Sequence, residues 1–229
     1  MAAVTISTTL IAHVRRLYDM ALEDLASGHG VRRGINGFTN HALPAYVVSV
    51  SAVEAFVNEA FLGVFTRTIF KDSPLWIFPE DWLENLEVSA KLVLIPQLLF
   101  AKSFSRDTQP YQDMTLLIKV RNQFVHYKMK HEPPNFVKSL DDRRISLAAP
   151  ASGSGTDYAW PHKLSSSEGI RWAHNTVCDV VKELVSFAPT AKFRNSPFGR
   201  LAQGFLPIPT SYAQDWLRKR GIDPEGDNL

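Results

Sequence analysis

The chain has one cysteine among its 229 residues, Cys178, and that scarcity removes two large classes of protein. A lone thiol cannot close an internal disulfide or build a cysteine-based zinc site, which suits a reducing cytoplasm. Cys178 itself reads as a small apolar core residue. Long apolar runs are also missing. The longest, 92–100, is about half of the ~18 residues that span a bilayer, and it contains Pro96. Residues 1–10 lack a basic segment followed by an apolar one, so no secretion signal is legible. These absences lead us to expect a soluble, cytoplasmic protein with no membrane partner. Charge of one sign is equally scarce: a formal net charge of +2 is too small for wholesale nucleic-acid binding, so any anion site is local. The chain has no glycine-rich phosphate loop, dinucleotide fingerprint or nucleophile elbow. His131, His162 and His174 do not have zinc-ligand spacing, so neither a metal nor another cofactor is expected.

What is present is helical periodicity. Five segments carry it: 5–27, ended by Gly28 and Gly30; 43–66, opening on Pro44; 81–100, with a kink or break expected at Pro96; 112–128; and 166–186. The stretch 130–166 contains Pro133, Pro134 and a Gly/Ser run, and reads as a long loop. We therefore expect an all-α protein, with a helical bundle over 1–188 and an irregular C-terminal extension over 189–229 that packs on it. The extension interleaves aromatics and arginines around one short amphipathic piece, 212–220. Ser165, Ser166, Ser167 and Glu168 look like a helix N-cap.

The segment 112–128 holds the feature that is hardest to explain as decoration. Met114, Leu117, Ile118 and Val125 form an apolar stripe, and on a wheel of about 100° per residue Arg121 falls among them. Burying a guanidinium without a partner costs several kcal/mol, so a carboxylate, an anion or a wet cleft must accompany it. Asn122 and His126, four apart, lie on the flank of the same stripe beside Lys119. The second helix offers a partner, because Glu54 falls among Val47, Val50, Val57 and Phe61. A Glu54–Arg121 pair within about 6 Å is the expectation, with Asn58 one turn away as a further acceptor. Glu54 and Asn58 can equally be a polar pair that fixes helix register.

The run Arg121-Asn122-Gln123-Phe124-Val125-His126 resembles the R-N-x-x-x-H signature of HEPN domains, all-α bundles found in many prokaryotic endoribonucleases, toxins and antiviral defence proteins. In architecture the resemblance covers 5–188; in motif it covers these residues alone. It implies an up-and-down bundle of about five long helices. It also implies a metal-independent endoribonuclease that works as a homodimer on RNA and is held in check by an inhibitory protein such as an antitoxin. The residue types fit that chemistry. The 2′-hydroxyl attacks phosphorus and the 5′-oxygen leaves, giving a 2′,3′-cyclic phosphate and a 5′-hydroxyl, so one proton is removed, one is supplied and a more negative phosphorane is stabilised. An imidazole titrates near neutrality, which suits His126 to either transfer. Arg121 would clamp the phosphate with its planar fork and Asn122 would orient the imidazole or the phosphate. Lys119, Lys128 and Lys130 would contact RNA phosphates, or be simply solvated near a helix end. Arg121 and His126 are about 140° apart on the wheel, so they converge only through the long arginine side chain or a second copy. The runner-up is a non-catalytic HEPN-like homodimeric module that binds a nucleotide, RNA or a partner protein.

Overall fold

Periodic apolar faces become helices along most of the chain. In chain order they are α1 (Ile6–Ala26), α2 (Ala42–Val57), α3 (Val64–Ile69), α4 (Glu80–Glu84), α5 (Val88–Phe100), α6 (Tyr111–Val125), α7 (Phe136–Asp142), α8 (Trp160–Leu164), α9 (Ser167–Phe187), α10 (Pro197–Leu201) and α11 (Tyr212–Arg218). The structure, a computed structural model, describes residues 5–27, 32–33, 36–126, 134–147, 160–188 and 195–223. Among these residues the only strands are β1 (Arg32–Arg33) and β2 (Asn36–Gly37), a two-stranded antiparallel ribbon pairing Arg33 with Asn36. The protein is all-α in character.

Three departures from the periodicity reading have local causes. The second helix does not run evenly to 66: α2 passes at Val57 into one π turn, Asn58–Leu62, and extended Gly63 then separates it from α3. A π turn rotates the side chains that follow it and is a common device at special positions. The third expected helix divides, because Glu87 is extended (φ −57°, ψ 145°) and starts α5 afresh. Pro96 lies inside α5, which continues to Phe100. The segment expected as a loop, 130–166, contains α7 and α8. Each buries only two side chains, Val137 with Leu140 and Trp160 with Leu164, too few to register as a period.

The stretch Ala42–Ile69 is long and apolar enough to cross a membrane by length and composition, and 53% of its window is buried inside the protein. Tyr46, Val50, Val53, Phe56 and Val57 are among its buried side chains, and a core helix passes the same test.

Two compact units make up the chain. One contains 1–12, 48–118 and 176–207, and the other 13–47, 119–175 and 208–229. In the first, Phe56 meets Phe61 and Phe205, and Phe61 meets Phe100, all edge-on. Glu59, in the π turn, caps α1: its carboxylate accepts from Ile6 N at 2.7 Å and from Ser7 Oγ at 2.5 Å. A negative charge there also complements the helix dipole. In the second unit Ser166 caps α9 by accepting from Gly169 N at 2.9 Å. There the C-terminal segment is strapped down by Asn175, which donates to Ile208 O at 3.0 Å and accepts from Ile208 N at 2.7 Å. Tyr212 donates to Asp19 at 2.8 Å and its ring lies tilted 6.1 Å from that of Tyr18, with Arg15 over it.

Candidate functional site

The sequence-predicted site lies on the last two turns of α6. Met114, Leu117 and Val120 are fully buried and set the inward face of the helix. The helix ends at Val125, and His126 N still donates to Asn122 O at 3.0 Å, closing the last turn beneath the imidazole. Lys119, Asn122, Gln123 and His126 are exposed, and their 3, 4, 7 spacing makes them one solvent-facing stripe. Val125, which the wheel placed on the apolar stripe, is 52% exposed, so the inward face narrows before the helix ends.

Arg121 lies at the margin of that stripe. It is half-buried rather than pointed into the core, because Val120 takes the buried position and Phe124 packs beside it. Its Nε is sealed from solvent with no hydrogen-bond partner among the described residues. A buried N–H in that state is costly unless a ligand or water meets it.

The ground under the stripe is aromatic. The Phe124 ring lies parallel to Tyr46, 5.8 Å away, and 5.9 Å from Trp160, which in turn meets Phe136 edge-on. Tyr46 also meets Trp172 and donates its hydroxyl to Leu164 O at 2.7 Å. Burial pushes that hydroxyl well above its ordinary pKa, so it stays protonated and donating. Gly169 permits this packing: a β-carbon there would lie 2.0 Å from the Tyr46 oxygen. The last turn of α6, with Asn122 and His126 on its outer side, thus rests on a rigid base.

The expected partner of Arg121 is committed elsewhere. Glu54 Oε1 accepts from Lys91 Nζ at 2.9 Å, and the same ammonium donates to Asn58 Oδ1 at 3.1 Å and to Glu84 O at 2.6 Å. The expectation that assigned Glu54 and Asn58 to Arg121 is corrected on this point. Lys91 is completely buried, and its three N–H groups require three acceptors. The signal was legible, since Lys91 shares a stripe with Val88, Leu92 and Ile95 in an otherwise apolar helix. The wheel test that singled out Arg121 applies to it equally. Lys128 and Lys130 lie outside the described residues, as does His131. Cys178 is buried in α9. His174 is buried too, and desolvation brings its pKa down to about 4, aided by the nearby Arg15 charge and opposed by its contact with Asn175. Among the described residues no group of three or more His, Cys, Asp or Glu side chains is placed to hold a metal ion.

No protein-family model matches the chain, and neither a curated protein nor a solved structure matches it.

Proposed function

We propose that the chain is a metal-independent endoribonuclease of the HEPN type, its site on the exposed stripe at the end of α6. The observation that carries this reading is the joint exposure of Lys119, Asn122 and His126 beside a guanidinium whose buried Nε has no partner. A solvent-facing imidazole can reach a substrate proton, and an amide four residues away can orient it or the phosphate. The guanidinium's planar fork suits a phosphate, and the phosphorane gains most from that contact because its charge is highest. Lys119 adds a second positive charge on the same face. In this reading the helices are an up-and-down bundle, and a second copy of the chain brings its own stripe to form an RNA groove.

The test is cleavage of a mixed RNA panel in EDTA by wild type and by His126→Ala, with the product ends identified. Metal-independent cutting that leaves 2′,3′-cyclic phosphates and disappears in the variant is expected. Equal cutting by both proteins overturns the assignment of His126. No cutting by either turns the stripe into a binding surface, as in a non-catalytic module of the same fold.

A further inference from the structure

Most large apolar side chains of the first unit are buried, but two consecutive turns between α3 and α5 hold theirs in solvent. We infer that this surface docks a protein partner that presents lysine or arginine side chains around an apolar one. The inference stands apart from the ribonuclease reading, since the stripe at the end of α6 belongs to the other unit.

The two turns are a 3₁₀ turn, Pro74–Ile77, and α4. Each buries a leucine completely, Leu75 in the first and Leu83 in the second. Each also leaves a large apolar side chain outside: Ile77 is 78% exposed and Trp82 is 45% exposed. Phe78 lies between them in the chain, its ring stacked on that of Trp82 with centroids 4.9 Å apart. A single exposed apolar residue is ordinary, but three within six positions, two of them stacked, are a patch rather than scatter.

The backbone beneath the patch is held in place. Ser73 Oγ accepts from Leu75 N at 3.2 Å and donates to Leu98 O at 3.0 Å, and Trp76 Nε1 donates to Phe70 O at 2.7 Å. Lys91 Nζ donates to Glu84 O, at the end of α4, at 2.6 Å. A surface fixed in this way has little freedom left to lose on binding.

The rim is acidic. Residues 72–87 carry five carboxylates and no lysine, arginine or histidine, in a chain whose formal net charge is +2. Glu80, Asp81 and Glu84 share α4 with Trp82, Asp72 and Glu87 flank the two turns, and all five are exposed. Arg67 answers one of them, reaching Glu80 at 2.8 Å while it lies over the Trp76 ring, 5.1 Å from the centroid. The charge of Lys91 is already met by Glu54.

Charge selects the occupant. The rim repels RNA and the surface of an anionic bilayer. A second copy meeting the patch across a two-fold axis would bring the same carboxylates face to face. A basic protein partner gains from both parts of the surface. Its apolar side chain covers Ile77 and Trp82, and its cations meet the carboxylates or lie over the Trp82 indole as Arg67 lies over Trp76.

The test titrates the full chain with three labelled peptides of equal length, read by fluorescence anisotropy. One is built of lysine and leucine in helical spacing, one replaces the lysines with glutamate, and one replaces the leucines with serine. The lysine–leucine peptide should bind best, and its affinity should fall as salt is raised. Trp82→Ala should weaken it about 10-fold or more, the double variant Asp81→Asn with Glu84→Gln by a similar factor, and Ile77→Ser about 5-fold. Ile77→Ser should keep the wild-type melting temperature, so a loss of binding there is not a loss of fold. No binding of the lysine–leucine peptide, equal binding of either control peptide, or wild-type affinity in all three variants overturns the proposal. Binding to phosphatidylserine vesicles that Trp82→Ala abolishes would replace the protein partner with a bilayer. Self-association in sedimentation that Ile77→Ser abolishes would replace it with a second copy. Either result also overturns the proposal.

Discussion

Lys91 and Arg121 both sit on helices with largely apolar inward faces, yet Lys91 Nζ meets three acceptors while Arg121 Nε meets none among the described residues. Around Lys91 everything is internal. The π turn presents Asn58, α2 presents Glu54, and the end of α4 presents a carbonyl, so the ammonium is saturated and shut away. Around Arg121 the polar groups turn outward, and the packing below them is aromatic and apolar. The first arrangement stabilises a structure and has no capacity left for a ligand. The second has a buried donor with no partner among the described residues beneath a solvent-facing polar stripe.

Breaking the sealed cluster should have the largest effect. Glu54→Leu leaves a fully buried ammonium without its carboxylate and is expected to cost about 3–5 kcal/mol in denaturant unfolding. Lys91→Met should cost clearly less, because the Glu54 side chain is 37% exposed and can rehydrate. Equal costs would show that Lys91 is not the sealed partner described here.

His174 sharpens the contrast with exposed His126. Its folded pKa of about 4 is below the ordinary value of 6.5, so between those values the unfolded chain binds the proton more readily. Its contribution is therefore complete above pH 6.5, falls as pH drops toward 4 and is flat below that. The difference is on the order of 3 kcal/mol. Urea midpoints from pH 7 to pH 4 should fall more steeply in wild type than in His174→Gln, and parallel curves would contradict the buried neutral imidazole.

The aromatic base comes next. Gly169→Ala drives a β-carbon into the Tyr46 hydroxyl and should cost about 1–3 kcal/mol, read as a lowered melting temperature. Tyr46→Phe alone loses one buried hydrogen bond, about 1 kcal/mol. The two together should cost less than their sum, since removing the oxygen makes room for the methyl; strict additivity would place the clash elsewhere. The smallest effect is expected at Tyr18, whose buried hydroxyl has no partner among the described residues. Tyr18→Phe should leave the melting temperature unchanged or raise it slightly, because no hydrogen bond is lost.

Much of this architecture could be read in advance because it is local. Helix periodicity follows from contacts between residues three and four apart, so α1 and α9 appear within one residue of the segments read from the sequence, and α6 begins within one residue of its segment. The Ser166 cap depends on a neighbour three positions on and was legible for the same reason. Arg121 and Asn122 could be placed on one helix, with His126 just past its end, and the polar flank on the outside, by the same arithmetic. The π turn was not legible, since nothing in Asn58–Leu62 departs from an α-helical pattern until Glu59 must reach the start of α1, 52 and 53 positions away.

What the sequence by itself determined is therefore the long helices α1, α6 and α9 and most of the side chains that each presents inward and outward. Which charges find each other was decided only by tertiary structure. Glu54 meets Lys91 across 37 positions and Tyr46 meets Leu164 across 118, and Asp24 in α1 meets His41 just before α2. A wheel shows that a buried charge needs a partner, but several candidates satisfy that need equally. The choice among them belongs to the packing that brings distant helices to within 3 Å.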